Sequence, residues 1–247
     1  MSAIHFMFPK VPSVHVLFLL RNPDDISQDD PYSGGNISYD VGDDPAKVTQ
    51  YRQQIIANYA SLGLKTILDV RQVHGEEVIF EPEKENLSVL TGDGLATKAP
   101  HQGLLIKTAD CQPLLICDFS GQHILALHIG WRANLANFIA KAIPKFCHKY
   151  DLTPKSLLAV RGPSLSPIQA QFKNYQKEWP ENLLKTYFDY EHLTMNLWAL
   201  TRDQLEAAGL KRANIFSLDL CTQTNPHCFS YRRDKTCGRQ GGLIWLA

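Results

Sequence analysis

The chain has little of what would narrow its class at once. Its six cysteines (Cys111, Cys117, Cys147, Cys221, Cys228, Cys237) are scattered over 247 residues with no C-x-x-C pair, which excludes a compact disulfide framework and the commonest zinc-finger spacings. Charge of one sign is not in excess either. Lys plus Arg and Asp plus Glu number 25 each, so no basic face argues for nucleic acid or an anionic membrane surface. Long apolar runs are missing: Val14 to Leu20 is too short to span a bilayer, and no basic segment or small-residue cleavage site accompanies it. Nine histidines include no H-x-H arrangement, which disfavours a multicopper oxidase. No repeat or low-complexity tract is visible. With 44% hydrophobic and 20% charged residues, what remains is an ordinary soluble globular composition. The expectation is a cytoplasmic protein with free thiols, a monomer or small homo-oligomer, with no membrane or nucleic-acid partner.

Local patterns predict a mixture of strands and helices. Val14–Leu20 reads as a buried strand, followed by a polar loop from Arg21 to Asp40 long enough to be functional. A helix is expected from Pro45 to about Leu62, capped by Asp44 and ended by Gly63. Two strand segments, Thr66 to His74 and Glu76 to Phe80, would place His74 at a strand end beside Gly75. Pro82–Gly92 reads as a polar loop, and Leu104–Thr108 as a strand. A helix from Arg132 to Tyr150 should be kinked or divided at Pro144. Ser156–Val160 and Ile215–Leu218 read as strands; Gln171–Trp179, Glu181–Tyr187 and Leu193–Ala208 read as helical, the last stopped by Gly209. The tail from Asp219 is dense in Cys, Arg and Gly.

The chemistry concentrates between Thr108 and Arg132, TADCQPLLICDFSGQHILALHIGWR, read as two strands joined by a turn at Asp118–Gly121 and followed by a helix. A turn centred on Phe119-Ser120 sets Cys111 directly opposite His128, whereas one centred on Ser120-Gly121 sets Cys111 opposite Gly130. With His74, the two make one thiol and two imidazoles from separate strand ends. Such a trio suits a catalytic zinc site with an open fourth position, a Cys–His nucleophile pair, or a His₂Cys copper centre. Asp110 beside Cys111 either orients one of the histidines or faces away. Arg132 offers a planar fork for phosphate. Arg52, Arg232 and Arg239 are weaker candidates, and a structural ion pair is the better reading for Arg52. Trp131 stacks on a purine or packs behind the site.

Taken in order, Gln72-Val73-His74-Gly75, Asp93-Gly94-Leu95-Ala96-Thr97, Thr108-Ala109-Asp110-Cys111-Gln112-Pro113 and His128-Ile129-Gly130-Trp131-Arg132 resemble the YfiH-like, laccase-domain family. That family also carries the names polyphenol oxidase, purine nucleoside phosphorylase of the laccase-domain type and peptidoglycan editing factor. Arg161-Gly162-Pro163, Asp219-Leu220-Cys221-Thr222, Phe229-Ser230-Tyr231-Arg232-Arg233 and Gly238-Arg239 extend the match, which runs from about Asn36 to Trp245. The resemblance implies an α+β fold of mixed and antiparallel sheets flanked by helices, with residues 1–247 forming a single domain. It also implies a zinc-dependent enzyme, copper being the alternative. That enzyme would phosphorolyse adenosine, inosine, guanosine and 5′-methylthioadenosine and deaminate adenosine; its ligands are therefore nucleosides and phosphate. By position, His74, Cys111 and His128 match the metal-binding and catalytic trio, and Asn36 matches an asparagine able to bond a nucleoside. A Cys111-dependent amidase in peptidoglycan precursor editing is the competing reading. Two departures stand out: Ala133 replaces the glycine usual after Trp-Arg, with the expectation of a narrowed site and altered substrate preference, and Ser164–Gln169 replaces a Cys-containing stretch.

Overall fold

The structure, a computed structural model, describes residues 2–83 and 90–247, so part of the expected Pro82–Gly92 loop lies outside the described residues. In chain order it builds β1 (Ser2–Met7), β2 (Val14–Leu20), α1 (Pro45–Tyr59), β3 (Thr66–Leu68), β4 (Val78–Phe80), β5 (Gly94–Thr97), β6 (Gln102–Thr108), β7 (Gln112–Asp118) and β8 (Ile124–Ile129). There follow α2 (Trp131–Leu135), α3 (Phe138–Tyr150), β9 (Leu157–Arg161), α4 (Tyr175–Glu178), α5 (Glu181–Tyr187), β10 (Phe188–Asp189) and β11 (Thr194–Met195). The last elements are α6 (Leu197–Ala207), β12 (Ile215–Ser217), α7 (Tyr231–Asp234) and β13 (Gln240–Leu246).

Two mixed sheets carry the architecture, one ordered β1-β2-β13-β6-β3 and the other β12-β9-β7-β8-β5-β4; β10 and β11 form a small ribbon. Period-2 alternation explains how they stack. In β2, Val14, Val16 and Phe18 join Leu115, Cys117 and Ala126 of the second sheet in one core, while Leu17 and Leu19 pack with Ile55 of α1. In β7 and β8 the other faces, Leu114, Ile116, Leu125 and Leu127, meet Phe138, Ile143 and Phe146 of α3. Both sheets are thus covered on both sides, which is why their central strands read as continuous apolar runs rather than alternating ones. A smaller cluster of Leu165, Phe172, Trp179 and Leu197 sits apart, with Trp131 packed against it.

The expected helix from Pro45 forms with its cap, Asp44 accepting from the Ala46 amide at 2.8 Å, and Gly63 closes it at φ +88°. Other expectations change. The helix after the hairpin divides at Asn137, which adopts φ +51°, while Pro144 lies inside α3. Asparagine tolerates the left-handed region, so it can break the helix where proline does not. Gln171–Trp179 is helical only over α4, and α6 starts at Leu197 because Thr194–Met195 is spent on β11. Among the described residues, five strands are additional to the sequence reading: β1, β5, β10, β11 and the C-terminal β13, which fills the middle of the first sheet.

Candidate metal centre and active-site cavity

The β7–β8 register pairs Gln112 with Ile129 and Pro113 with His128. Cys111 is therefore not directly opposite His128. The turn lies one residue later than a Phe119-Ser120 centre requires, and Cys111 sits one residue before β7, level with Gly130. Alternation nonetheless keeps Cys111, with Leu115 and Cys117, on the same face as His128, with Ile124 and Ala126. The two are diagonal neighbours, still within side-chain reach.

His74 arrives from the connection between β3 and β4, not from a strand end, in a left-handed conformation (φ +58°). A single carboxylate holds it there. Asp93, fully buried, accepts hydrogen bonds from three successive amides: Val73 at 3.2 Å, His74 at 3.0 Å and Gly75 at 2.6 Å. The same carboxylate accepts from His128 Nδ1 at 2.7 Å, which fixes that ring's tautomer and turns Nε2 outward. Asp93 therefore positions both imidazoles. It reaches His128 because β5 pairs Gly94 with Leu127, bringing the residue before each strand's partner alongside. His74 and His128 meet edge to face with ring centroids 4.8 Å apart.

The three donor atoms lie within 4.8 Å of one another, with Cys111 Sγ 3.9 Å from His74 Nε2. A tetrahedral zinc with sulfur at about 2.3 Å and nitrogen at about 2.05 Å would hold those two atoms roughly 3.6 Å apart. The donor set and the carboxylate behind His128 therefore fit a metal with small adjustment. Glycine at position 130 is part of this fit: a Cβ there would lie 3.1 Å from Cys111 Sγ and 3.2 Å from His74 Cδ2. Without a metal, burial pushes the Cys111 thiol up, but His128 and His74 outweigh it and bring the thiol down to about 6. Burial likewise opposes charge on His128, and Cys111 and Asp93 outweigh it, raising the imidazole to about 9. Without a metal the pair favours a thiolate facing an imidazolium, an arrangement suited to nucleophilic chemistry; a cation would bind there with release of the imidazolium proton.

A cavity of about 830 Å³ opens over the trio. Trp131, Leu165, Phe172 and Leu197 contribute an apolar side, and six cationic side chains (Lys107, Arg132, Lys173, Arg232, Lys235, Arg239) line it against two acidic ones, Asp40 and Asp110. Lys107 is neutralised by Asp40 and Asp69. Among the described residues the other five cations have no acidic partner. Arg132 lies over Trp131 at 4.2 Å, exposed at the cavity wall. Arg232 Nη1 donates to Gln171 O, and Arg239 Nη1 to the Cys237 and Gly238 carbonyls. Arg52 is bound bidentately to Asp69, a structural pair as expected.

Three expectations are corrected. Asp110 lines the cavity but contacts neither histidine. Its Oδ1 accepts from Thr222 Oγ1 at 2.7 Å and its Oδ2 from the Arg232 amide at 2.6 Å, tying the C-terminal segment to the residue before Cys111. At φ +96° its backbone is strained, and those two bonds hold it so. Asn36 is buried and wholly spent on protein groups. Its amide donates to Ser38 O and Asp43 Oδ2, and its oxygen accepts from the Ser38 and Arg239 amides, so it supports Arg239 instead of reaching a ligand. Ala133 is likewise buried in the core against α3, away from the cavity, so its Cβ does not narrow the site. Ser164, in the other departing stretch, accepts from Arg161 Nη1 and Trp198 Nε1, while the Leu165 amide donates to Asp110 O. Asp93 and Gly130 were legible only as motif letters.

Comparisons with known proteins agree on one group. Residues 16–247 match the family model described as multi-copper polyphenol oxidoreductase laccase. A Shigella flexneri protein named purine nucleoside phosphorylase YfiH is 30% identical over 222 residues, covering 87% of this chain and 88% of that one. A Xylella fastidiosa protein named purine nucleoside phosphorylase is 29% identical over 255 residues, covering 97% and 95%. Among solved structures, a Neisseria meningitidis protein of the DUF152 family superposes with a TM-score of 0.84 at 25% identity, over 100% of this chain and 99% of that one. A Bacillus licheniformis hypothetical protein YfiH, at 20% identity and a TM-score of 0.83 over 95% and 93%, shares the fold.

Proposed function

The chain belongs to the multi-copper polyphenol oxidoreductase laccase family, the YfiH-like proteins, and we propose that it is a zinc-dependent purine nucleoside phosphorylase that also deaminates adenosine. The relatives' names support an enzyme of the purine nucleoside phosphorylase kind. The observation that carries the finer reading is one cavity that joins a His₂Cys donor set to a cationic lining and an apolar side. Adenosine, inosine, guanosine and 5′-methylthioadenosine are the proposed nucleosides, with residues 1–247 acting as one catalytic domain.

Phosphorolysis needs a phosphate oxygen placed in line with the C1′–N9 bond. As the new C1′–O bond forms, the C1′–N9 electron pair leaves with the purine, which takes up a proton; free base and ribose 1-phosphate result. Arg132, supported by Lys173, Lys235, Arg232 and Arg239, supplies the positive field that holds the phosphate dianion. The Trp131 and Phe172 side flanks the purine and excludes water from the reacting bond. His74, Cys111 and His128 would hold the zinc, which supplies Lewis-acid stabilisation of developing negative charge when bound. Deamination exchanges the 6-amino group for oxygen from water and releases ammonia, the chemistry zinc serves in other nucleobase deaminases. Zinc-loaded protein incubated with adenosine and phosphate tests this: adenine and inosine are the expected products, and neither appearing sinks the reading.

A second reading has one observation in its favour. The lowered Cys111 thiol beside His128, itself backed by Asp93, has the arrangement of a thiol nucleophile with its base and orienter. A Cys111-dependent amidase would keep its activity after chelation, whereas zinc chemistry would not. Stoichiometric copper without zinc on elemental analysis would favour an oxidase instead.

A further inference from the structure

Two residues that line the cavity, one on each side of Cys111 in the chain, each carry a fully buried polar atom with no protein partner among the described residues: Thr108 Oγ1 and Gln112 Oε1. Each residue is 2% exposed. Such groups are costly to leave unpaired, and the mechanism above does not use them. Thr108 ends β6 on the face that carries Leu104 and Ile106, the inter-sheet face shared with Cys111 and His128. Gln112 is held in one amide orientation by a chain of bonds. Gln204 Nε2 donates to the Asn134 main-chain carbonyl at 2.7 Å, so its Oε1 must accept from Asn134 Nδ2 at 2.9 Å. Asn134 Nδ2 also donates to Thr201 Oγ1, leaving its Oδ1 to accept from Gln112 Nε2 at 3.1 Å. The polarity of that chain leaves Gln112 Oε1 as a fixed acceptor with nothing to accept.

We propose that Thr108 Oγ1 and Gln112 Oε1 are recognition groups for the bound nucleoside, bonding hydroxyl or amino hydrogens of its ribose or its base. This rests on the nucleoside reading of the cavity. Calorimetric titration of chelator-stripped protein with adenosine, which by the account above neither cleaves nor deaminates it, tests the contacts as binding alone. Thr108→Val removes a hydroxyl that bonds no protein group, so a purely structural role leaves adenosine binding unchanged and thermal stability equal or higher. Recognition instead weakens binding about tenfold, the effect of losing one well-made hydrogen bond. Gln112→Met should weaken it similarly, with the zinc content of the unstripped protein intact. Purine riboside, which lacks the 6-amino group, and 2′-deoxyadenosine then separate base from ribose: the analogue missing the contacted group binds wild type and variant alike. Kd values for adenosine within twofold of wild type for Thr108→Val, or no adenosine binding by the wild type, overturn the inference. Adenosine bound with the expected variant effects but never cleaved by the zinc-loaded protein would sink the phosphorylase reading and leave this one standing.

Discussion

Replacing Asp93 by Asn changes one atom and should dismantle the metal centre. In the native carboxylate, Oδ1 accepts from the His74 amide and His128 Nδ1, while Oδ2 accepts from the Val73 and Gly75 amides. All four partners are N–H donors. Whichever way the asparagine amide is turned, its NH₂ faces two of them, and two bonds become two repulsions in a fully buried site. His128 also loses the negative partner that raises its pKa. Each disrupted buried bond costs about 1–3 kcal/mol, enough to release the strained left-handed backbone at His74. Loss of such a carboxylate behind a histidine ligand typically weakens metal binding 10–100-fold. The assay is zinc competition against a chromophoric chelator for wild type, Asp93→Asn and Asp110→Asn. Asp93→Asn should show the full loss. Asp110→Asn should bind zinc nearly normally, because Asp110 touches neither histidine. Equal affinities for wild type and Asp93→Asn would refute the reasoning.

Gly130→Ala should lower zinc affinity and activity together while the protein still folds, because the added methyl meets Cys111 Sγ and His74 Cδ2 at 3.1 and 3.2 Å; metal content of the purified variant checks it. Arg132→Ala should raise KM for phosphate several-fold with a smaller effect on KM for the nucleoside, read from initial rates at varied phosphate. Asp69 is held below the usual carboxylate range: burial works against this, but Arg52 and Lys107 outweigh it. A depressed folded pKa contributes stability above the unfolded value and loses it as pH falls through the folded one. Asp69→Asn should therefore cost roughly 3 kcal/mol near pH 7, with Arg52 left without a carboxylate and Lys107 with Asp40 alone, and progressively less below pH 4 in urea titrations. Ala133→Gly should cost roughly 1 kcal/mol of stability without changing substrate preference, since that methyl packs in the core.

Local signals were legible and long-range ones were not. Strand β2 and the start and cap of α1 follow from an apolar run and an Asp-Pro pair, both of which act within a few residues. His74, Cys111 and His128 were recognisable as a set of ligand types, but their supports depend on pairing across the chain. Asp93 was hidden because Gly94–Thr97 is too short to declare itself a strand, and only the β5–β8 pairing puts Asp93 beside His128. Asp110, adjoining Cys111 in sequence, could equally orient a histidine or face away; its φ of +96° and the Thr222 and Arg232 bonds turn it elsewhere. Strand β13 opens Gln240-Gly241-Gly242, a weak strand signal. Those glycines are there for neighbours far away in sequence: a Cβ would meet Ile106 O at 2.4 Å from Gly241 and Pro113 Cβ at 2.9 Å from Gly242. The hairpin register turned on one residue of turn placement, the least local information a strand pair contains.

The central claim is that the His74–Cys111–His128 centre holds zinc and drives purine nucleoside phosphorolysis in the cavity above it. Its most direct test follows adenine and ribose 1-phosphate from adenosine and phosphate, using zinc-loaded, chelator-stripped and zinc-restored protein in parallel. The account predicts turnover by the first, none by the second and recovery in the third. Turnover that survives complete removal of the metal, or zinc-loaded protein that releases no free base, would contradict it.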